Sequence, residues 1–183
     1  MSDVNNVSVG KPAVGGSISV ADVGTSLPTT AIADLDQAFK KLGYISDEGL
    51  RNTNTPSVES IKAWGGDTVL IVQSEKTDTF QFSLLEILAV DVLKFVHGSS
   101  NVSGTLSTGI AINVNSQDIP AQSMVFDMVL TNGVLKRIVI PNGKISEIGE
   151  VSYADADAIA YDVTVTALPD TSGNTHYEYI KTA

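Results

Sequence analysis

The stretch that decides the fold is Met124-Val125-Phe126-Asp127-Met128-Val129-Leu130, then Thr131-Asn132-Gly133, then Val134-Leu135-Lys136-Arg137-Ile138-Val139-Ile140. Two apolar-rich runs flank an Asn-Gly pair. Asn and Gly tolerate the positive φ angles of a type I′ turn, so the segment predicts a β-hairpin. Pro141-Asn142-Gly143 is expected to end its second strand. Downstream, Lys144 to Tyr153 and Ala158 to Leu168 read as a second hairpin around the acidic turn Ala154 to Asp157. There Tyr161, Val163 and Val165 alternate with Asp162, Thr164 and Thr166, which marks a strand buried on one face. A short strand from Thr175 to Ile180 closes the chain.

Toward the N-terminus, Val102 onward is strand-like, with Thr105 to Asn115 alternating. Before it, Leu84, Leu85, Leu88, Val92, Phe95 and Val96 form a wide apolar stripe at helical spacing. Ser83 and Glu86 have capping-box spacing, and Gly98 follows the last turn. A helix over about 84–97 is therefore expected. Thr68 to Gln73 and Thr77 to Ser83 read as strands, with Phe80 and Phe82 on one face. Thr30 to Leu42 reads as a modest helix or as a turn-rich strand. Residues 49–66 lack periodicity and carry Gly49, Asn52, Asn54, Pro56, Gly65 and Gly66, so they read as a long loop, the kind that is functional or disordered. Residues 1–14 read as an N-terminal arm, with Val14, Ile18 and Val20 suggesting the first strand. The expectation is one β-sandwich or barrel domain over 15–183, with roughly seven to nine strands and one flanking α-helix.

Composition narrows the function. The chain has 183 residues, 43% hydrophobic and only 17% charged, against about 25% charged in ordinary soluble domains. Neutral polar residues fill the gap, as in a β protein rich in Thr and Val, or in a surface meant to be buried against neighbours. Net charge is -10, which repels phosphates and argues against sequence-specific nucleic-acid binding. The absence of cysteine removes thiolate chemistry, disulfides and Cys-ligated metals. The first ten residues lack the apolar core of a signal peptide. Residues 82–96 are too short and too charged to span a bilayer.

No residue set reads as catalytic, cofactor-binding or metal-binding. His97 falls in the last turn of the expected helix, where a cation would suit the C-terminal dipole. His176 reads as exposed or as an interface residue. Asp155 and Asp157 lack the further oxygen donors and the glycine of a calcium loop. Gly15-Gly16 and Gly65-Gly66 match no phosphate-binding pattern. Trp64, the single tryptophan, reads either as a local core plug or as an interface anchor.

Several ordered segments carry a family likeness. Phe39-Lys40-Lys41-Leu42-Gly43-Tyr44-Ile45-Ser46-Asp47-Glu48-Gly49-Leu50 resembles the leucine-glycine-tyrosine, then acidic-glycine-leucine segment of phage major tail proteins. Ile61-Lys62-Ala63-Trp64-Gly65-Gly66-Asp67, Glu75-Lys76-Thr77-Asp78-Thr79-Phe80, Leu135-Lys136-Arg137-Ile138-Val139-Ile140-Pro141 and Asn174-Thr175-His176-Tyr177-Glu178-Tyr179 resemble further segments in the same order. The resemblance implies a non-enzymatic tail tube subunit of a siphovirus-like phage, with the β-sandwich or barrel and flanking helix of phage and type VI secretion tubes. It implies homohexameric rings stacked around a lumen that passes DNA, made in the host bacterial cytoplasm and ending in the virion tail, without a membrane partner. It implies tape measure, terminator and distal tail proteins as partners, and DNA as a non-specific passenger. Leu50, Asn52, Asn54, Val58, Ile61 and Trp64, together with the arm, are the expected inter-subunit contacts. The competing reading is a monomeric β-sandwich binding module for carbohydrate or a cell surface. A β-barrel hydrolase or isomerase is a third, which lacks a base-nucleophile pair.

Overall fold

A computed structural model describes residues 2–13 and 16–182; Val14, expected in the first strand, lies outside them. The strands in chain order are β1 (Lys11–Pro12), β2 (Ile18–Asp22), β3 (Lys40–Lys41), β4 (Arg51–Lys62), β5 (Thr68–Leu84), β6 (Val102–Thr105), β7 (Gly109–Ile112), β8 (Gln122–Val129), β9 (Leu135–Ile148), β10 (Tyr161–Ala167) and β11 (Tyr177–Lys181). One α-helix, α1 (Val90–His97), lies between β5 and β6. The fold is mainly β, as the sequence predicts.

The deciding hairpin forms as expected. β8 pairs β9 from Val129↔Leu135 back to Gln122↔Gly143. Asn132 has φ 61° and Gly133 φ 75°, the sign that a type I′ turn needs at both central residues. Pro141-Asn142-Gly143 does not end the strand. β9 runs on to Ile148, and the register against β8 shifts between Gln122 and Met124. The shift lets the ladder pass the proline, which has no N–H to give, and the Ser123 hydroxyl donates to the Pro141 carbonyl at 2.7 Å.

The long β9 organises the rest. One of its edges carries β8. The other carries β11 along Leu135–Val139 and β10 along Gly143–Ile148. The full order is β3-β2-β8-β9-β10-β5-β4, and β1 extends the β2 side of β8. All pairings are antiparallel. The sheet curls, because Phe126 on β8 packs on Phe80 and Phe82 of β5 at ring separations of 6.0 and 5.5 Å, although β9 and β10 lie between those strands. Phe82 also packs on Phe95 of α1. Ile18, Leu42, Leu84, Met124, Ile140, Val163 and Val165 complete a dry core. The expected alternation in β10 is observed: Tyr161, Val163 and Val165 are buried and Asp162 is exposed.

Three local expectations are corrected. The helix begins at Val90, not near 84. Leu84 ends β5 on the core face, and Leu85 to Ala89 form a turn. Ser83 caps nothing; its hydroxyl bonds the Asp162 carboxylate, while Glu86 accepts the Tyr44 N–H at 2.9 Å. Thr30 to Leu42 holds no helix, only turns and β3. The Arg137 guanidinium fixes its start by donating to the Thr30 and Ala33 carbonyls at 3.1 and 2.6 Å, and it holds Asp127 in a two-pronged ion pair. The stretch 49–66, expected as a loop, is mostly the regular strand β4, paired with β5 along its whole length.

Candidate functional site

The β4–β5 hairpin leaves the curled sheet and stands alone. β5 pairs β10 only from Thr79 to Leu84. Residues 51–77 are all exposed, and burial resumes at Asp78. From Thr55 to Ala63 the ribbon projects roughly 30 Å at about 3.4 Å per residue. Two strands without a covering layer are only marginally stable in water, so this projection does not serve the subunit's own core.

Its chemistry changes along its length. The shaft, Arg51 to Ser57 against Glu75 to Gln81, is mostly polar, with Asn52, Thr53, Asn54 and Thr55 facing Phe80, Thr79, Asp78 and Thr77. The distal part is aliphatic. Val58, Ile61, Val69, Leu70, Ile71 and Val72 are each 44–64% exposed. Cross-strand partners share a face and successive residues alternate. Val58↔Gln73 and Ser60↔Ile71 therefore lie on one face, and Glu59↔Val72 and Ile61↔Leu70 on the other. Both faces carry aliphatic side chains. The run Val69-Leu70-Ile71-Val72 has the continuous pattern of a strand covered on both sides, yet nothing among the described residues covers it.

The candidate contact residues fall into two groups. Val58 and Ile61 lie on the distal ribbon, and Trp64 is fully exposed in the tip turn. Trp64 is thus no core plug. Leu50 is half-buried just before β4, and Asn52 and Asn54 stand on the shaft. Asn52 is committed within the chain: its amide donates to the Asp78 carboxylate at 2.8 Å. Sequence reasoning missed Val69 to Val72 as further candidate contacts, because an apolar run signals burial without saying by what.

Asp78 is the anchor of the root. Its carboxylate, fully buried, accepts from Asn52, from the Thr175 hydroxyl at 2.6 Å and from His176 Nδ1 at 2.5 Å. A carboxylate can only accept, so Nδ1 is the donor. Burial raises the Asp78 pKa, but the bonds from Thr175, Asn52 and His176 and the His176 charge outweigh it, leaving the carboxyl below its ordinary value. The His176 ring also meets Phe80 edge-on. The segment before β11 is thereby tied to the point where the hairpin leaves the core. His97 differs from its expected role as a dipole-stabilised cation. Its ring packs on Tyr161 and burial lowers its pKa, which favours the neutral imidazole; the Asn101 amide, not a charge, caps the helix by donating to the His97 carbonyl at 2.8 Å.

The subunit also offers open backbone. Among the described residues the outer edge of β4 is unpaired, as is the edge of β5 opposite β4 from Thr68 to Asp78. The N-terminal arm lies along β8: Ala13 donates to the Asp127 carbonyl at 3.1 Å, and Ser8 and Val9 exchange bonds with Thr131. Val4, Val7 and Val9 face outward from it. Among the described residues no cluster of three His, Cys, Asp or Glu side chains could hold a metal ion, and no helix is long and apolar enough to cross a membrane.

Comparison with known proteins gives this geometry its context. A search of curated proteins finds none that matches the chain. A family model, phage tail tube protein, matches residues 3–183, so the chain belongs to the phage tail tube protein family, whose members are structural components of the virion tail.

Proposed function

We propose that the chain polymerises as stacked homohexameric rings around a lumen through which phage DNA is delivered to the host, and that it works as a structural subunit and not as an enzyme. The observation that carries this reading is the β4–β5 hairpin, with aliphatic residues on both faces and two open edges. A head-to-tail ring needs two complementary surfaces per subunit, and stacking needs two more. A ribbon that is apolar on both sides fits between two neighbours at once. Its free edges can add to a neighbour's sheet by backbone pairing. Leu50, Asn54, Val58, Ile61 and Trp64 act in these contacts, and Asn52 acts indirectly by holding the root.

A net charge of -10 supports DNA as a passenger, since an acidic wall repels phosphates and lets the duplex slide. Tape measure, terminator and distal tail proteins are the partners this role requires. The test is negative-stain microscopy of concentrated full-length protein, alone and with a tail-tip initiation complex. Rings or tubes with six-fold symmetry are expected. A chain that stays monomeric under both conditions refutes the reading, and saturable glycan binding by that monomer would point to an adhesin-like module instead.

A further inference from the structure

The tip and the root of the hairpin lack complementary things. At the tip, Trp64 is a large indole in open solvent, 106% exposed. Lys62 and Asp67 flank it, brought together where the Ala63 N–H donates to the Asp67 carbonyl at 2.7 Å. At the root, a cavity of about 320 Å³ opens between β1, residues 45–50 and β8. Its apolar lining includes Ile45, Leu50, Met128 and the buried Phe126. Of its charged residues, Glu48 and Asp127 are paired with Arg51 and Arg137, which leaves Lys11 and Asp47 to supply charge beside it. That volume lies at the small end of the roughly 300–1,000 Å³ typical of ligand clefts, which suits one large side chain. Among the described residues, neither Lys62 and Asp67 nor Lys11 and Asp47 makes an ion pair.

We infer that the cavity receives Trp64 from a second copy of the chain. The inference rests on the self-assembly reading and names its receptor. The occupant cannot be the chain's own Trp64, because the ribbon from Leu50 to Trp64 holds the tip roughly 40 Å from the root at about 3.4 Å per residue. A second copy brings the right shape and both charges: Lys62 meets Asp47 and Asp67 meets Lys11 as the indole enters. Tryptophan seated in an apolar pocket inside a charged rim is the arrangement in which a single side chain carries most of an interface's energy. A tip-to-root contact is also heterologous, so it leaves a free tip at one end and a free root at the other and propagates.

The experiment exploits the absence of cysteine. Full-length Trp64→Cys and Asp47→Cys variants, differing in mass tag, are each mixed into excess wild type, assembled together and oxidised. Disulfides joining the two tags are expected; polymers in which tip and root cysteines never join overturn the inference. The wild-type chain is read through its only tryptophan, whose emission shifts to the blue and whose quenching by acrylamide falls several-fold on assembly. Polymers that leave Trp64 fully quenchable refute the docking as well. Trp64→Ser should abolish polymer while leaving the monomer's unfolding midpoint unchanged, and Trp64→Phe should retain it. Lys62→Glu should weaken assembly, and adding Asp47→Lys should restore it. If wild type never assembles, the self-assembly reading fails first and the docking with it, an outcome distinct from polymers whose Trp64 stays exposed.

Discussion

Replacing Asp78 by Asn should loosen the hairpin where it leaves the core. The carboxylate accepts from Asn52, Thr175 and His176 in a site closed to water. The amide keeps the shape but has one acceptor oxygen, and its own N–H₂ must face at least one of those donors. Bonds to a charged group contribute about 1.5–3 kcal/mol each. Losing the charge assistance and one or two partners, offset by the smaller desolvation of an amide, gives a loss of about 3 kcal/mol. For a chain of this length each kcal/mol moves the unfolding midpoint about 2–4 °C, so a fall of roughly 6–12 °C is expected. The pH dependence has a definite sign. The folded carboxyl titrates below its ordinary value of 3.8, so its contribution is complete above that value and drains away as pH falls through the lower folded one. Thermal unfolding of wild type and Asp78→Asn, followed by circular dichroism, should show a gap at about pH 5 that closes below about pH 3.8. A gap under about 0.5 kcal/mol at neutral pH, or one that widens on acidification, would refute the anchoring role, since surface substitutions fall within that range.

Phe126→Ala removes the ring that joins β8 to Phe80 and Phe82 and should cost about 3–5 kcal/mol in urea unfolding. Arg137→Ala strands the Asp127 carboxylate and the Thr30 and Ala33 carbonyls; a loss of about 3–5 kcal/mol is expected, and Arg137→Lys should not recover it because an ammonium cannot grip all three partners. Hydrogen exchange should localise that effect to residues 30–35. Replacing residues 58–74 by Asn-Gly joins Ser57 to Glu75, which already pair, and should leave the monomer's midpoint within a few degrees while abolishing rings and tubes by microscopy.

What the sequence revealed tracks where the subunit's own core imposes a pattern. The Asn-Gly hairpin, the alternation in β10 and the Phe80–Phe82 face were legible because each has one buried side. β4 was not legible as a strand. Its residues Arg51 to Lys62 have no buried face in the subunit, so no period of two was written into them, and Pro56 looked like a loop signal although an edge strand accommodates it. The helix start was misplaced because Leu84 and Leu85 continue the apolar stripe by coincidence: Leu84 belongs to the sheet, and Glu86 serves Tyr44. Asp78 gave no local sign, and Arg137 only its cross-strand neighbour Asp127. The Thr30 carbonyl that Arg137 holds lies 107 residues away and the His176 that Asp78 holds lies 98 away, and contacts between such distant segments leave no mark at either end.

The hairpin also explains how a subunit built to polymerise stays separate beforehand. Its aliphatic residues are split between two faces, so neither face presents one wide apolar patch to bulk solvent. Glu59, Lys62 and Asp67 lie among them, and Pro56 interrupts the donors of the outer β4 edge, devices that blunt edge-to-edge association. The aliphatic residues Val58, Ile61 and Val69 to Val72 are 44–64% exposed, so covering what remains open gains about 1 kcal/mol each, on the order of 5 kcal/mol for the ribbon. The cost of ordering a free two-stranded ribbon and of bringing two copies together is of similar size. A single pair of subunits therefore gains little, whereas a subunit that enters between two neighbours covers both faces against one ordering cost. Growth on an existing ring is favoured over spontaneous pairing, and the split of aliphatic residues between the faces is what makes the difference.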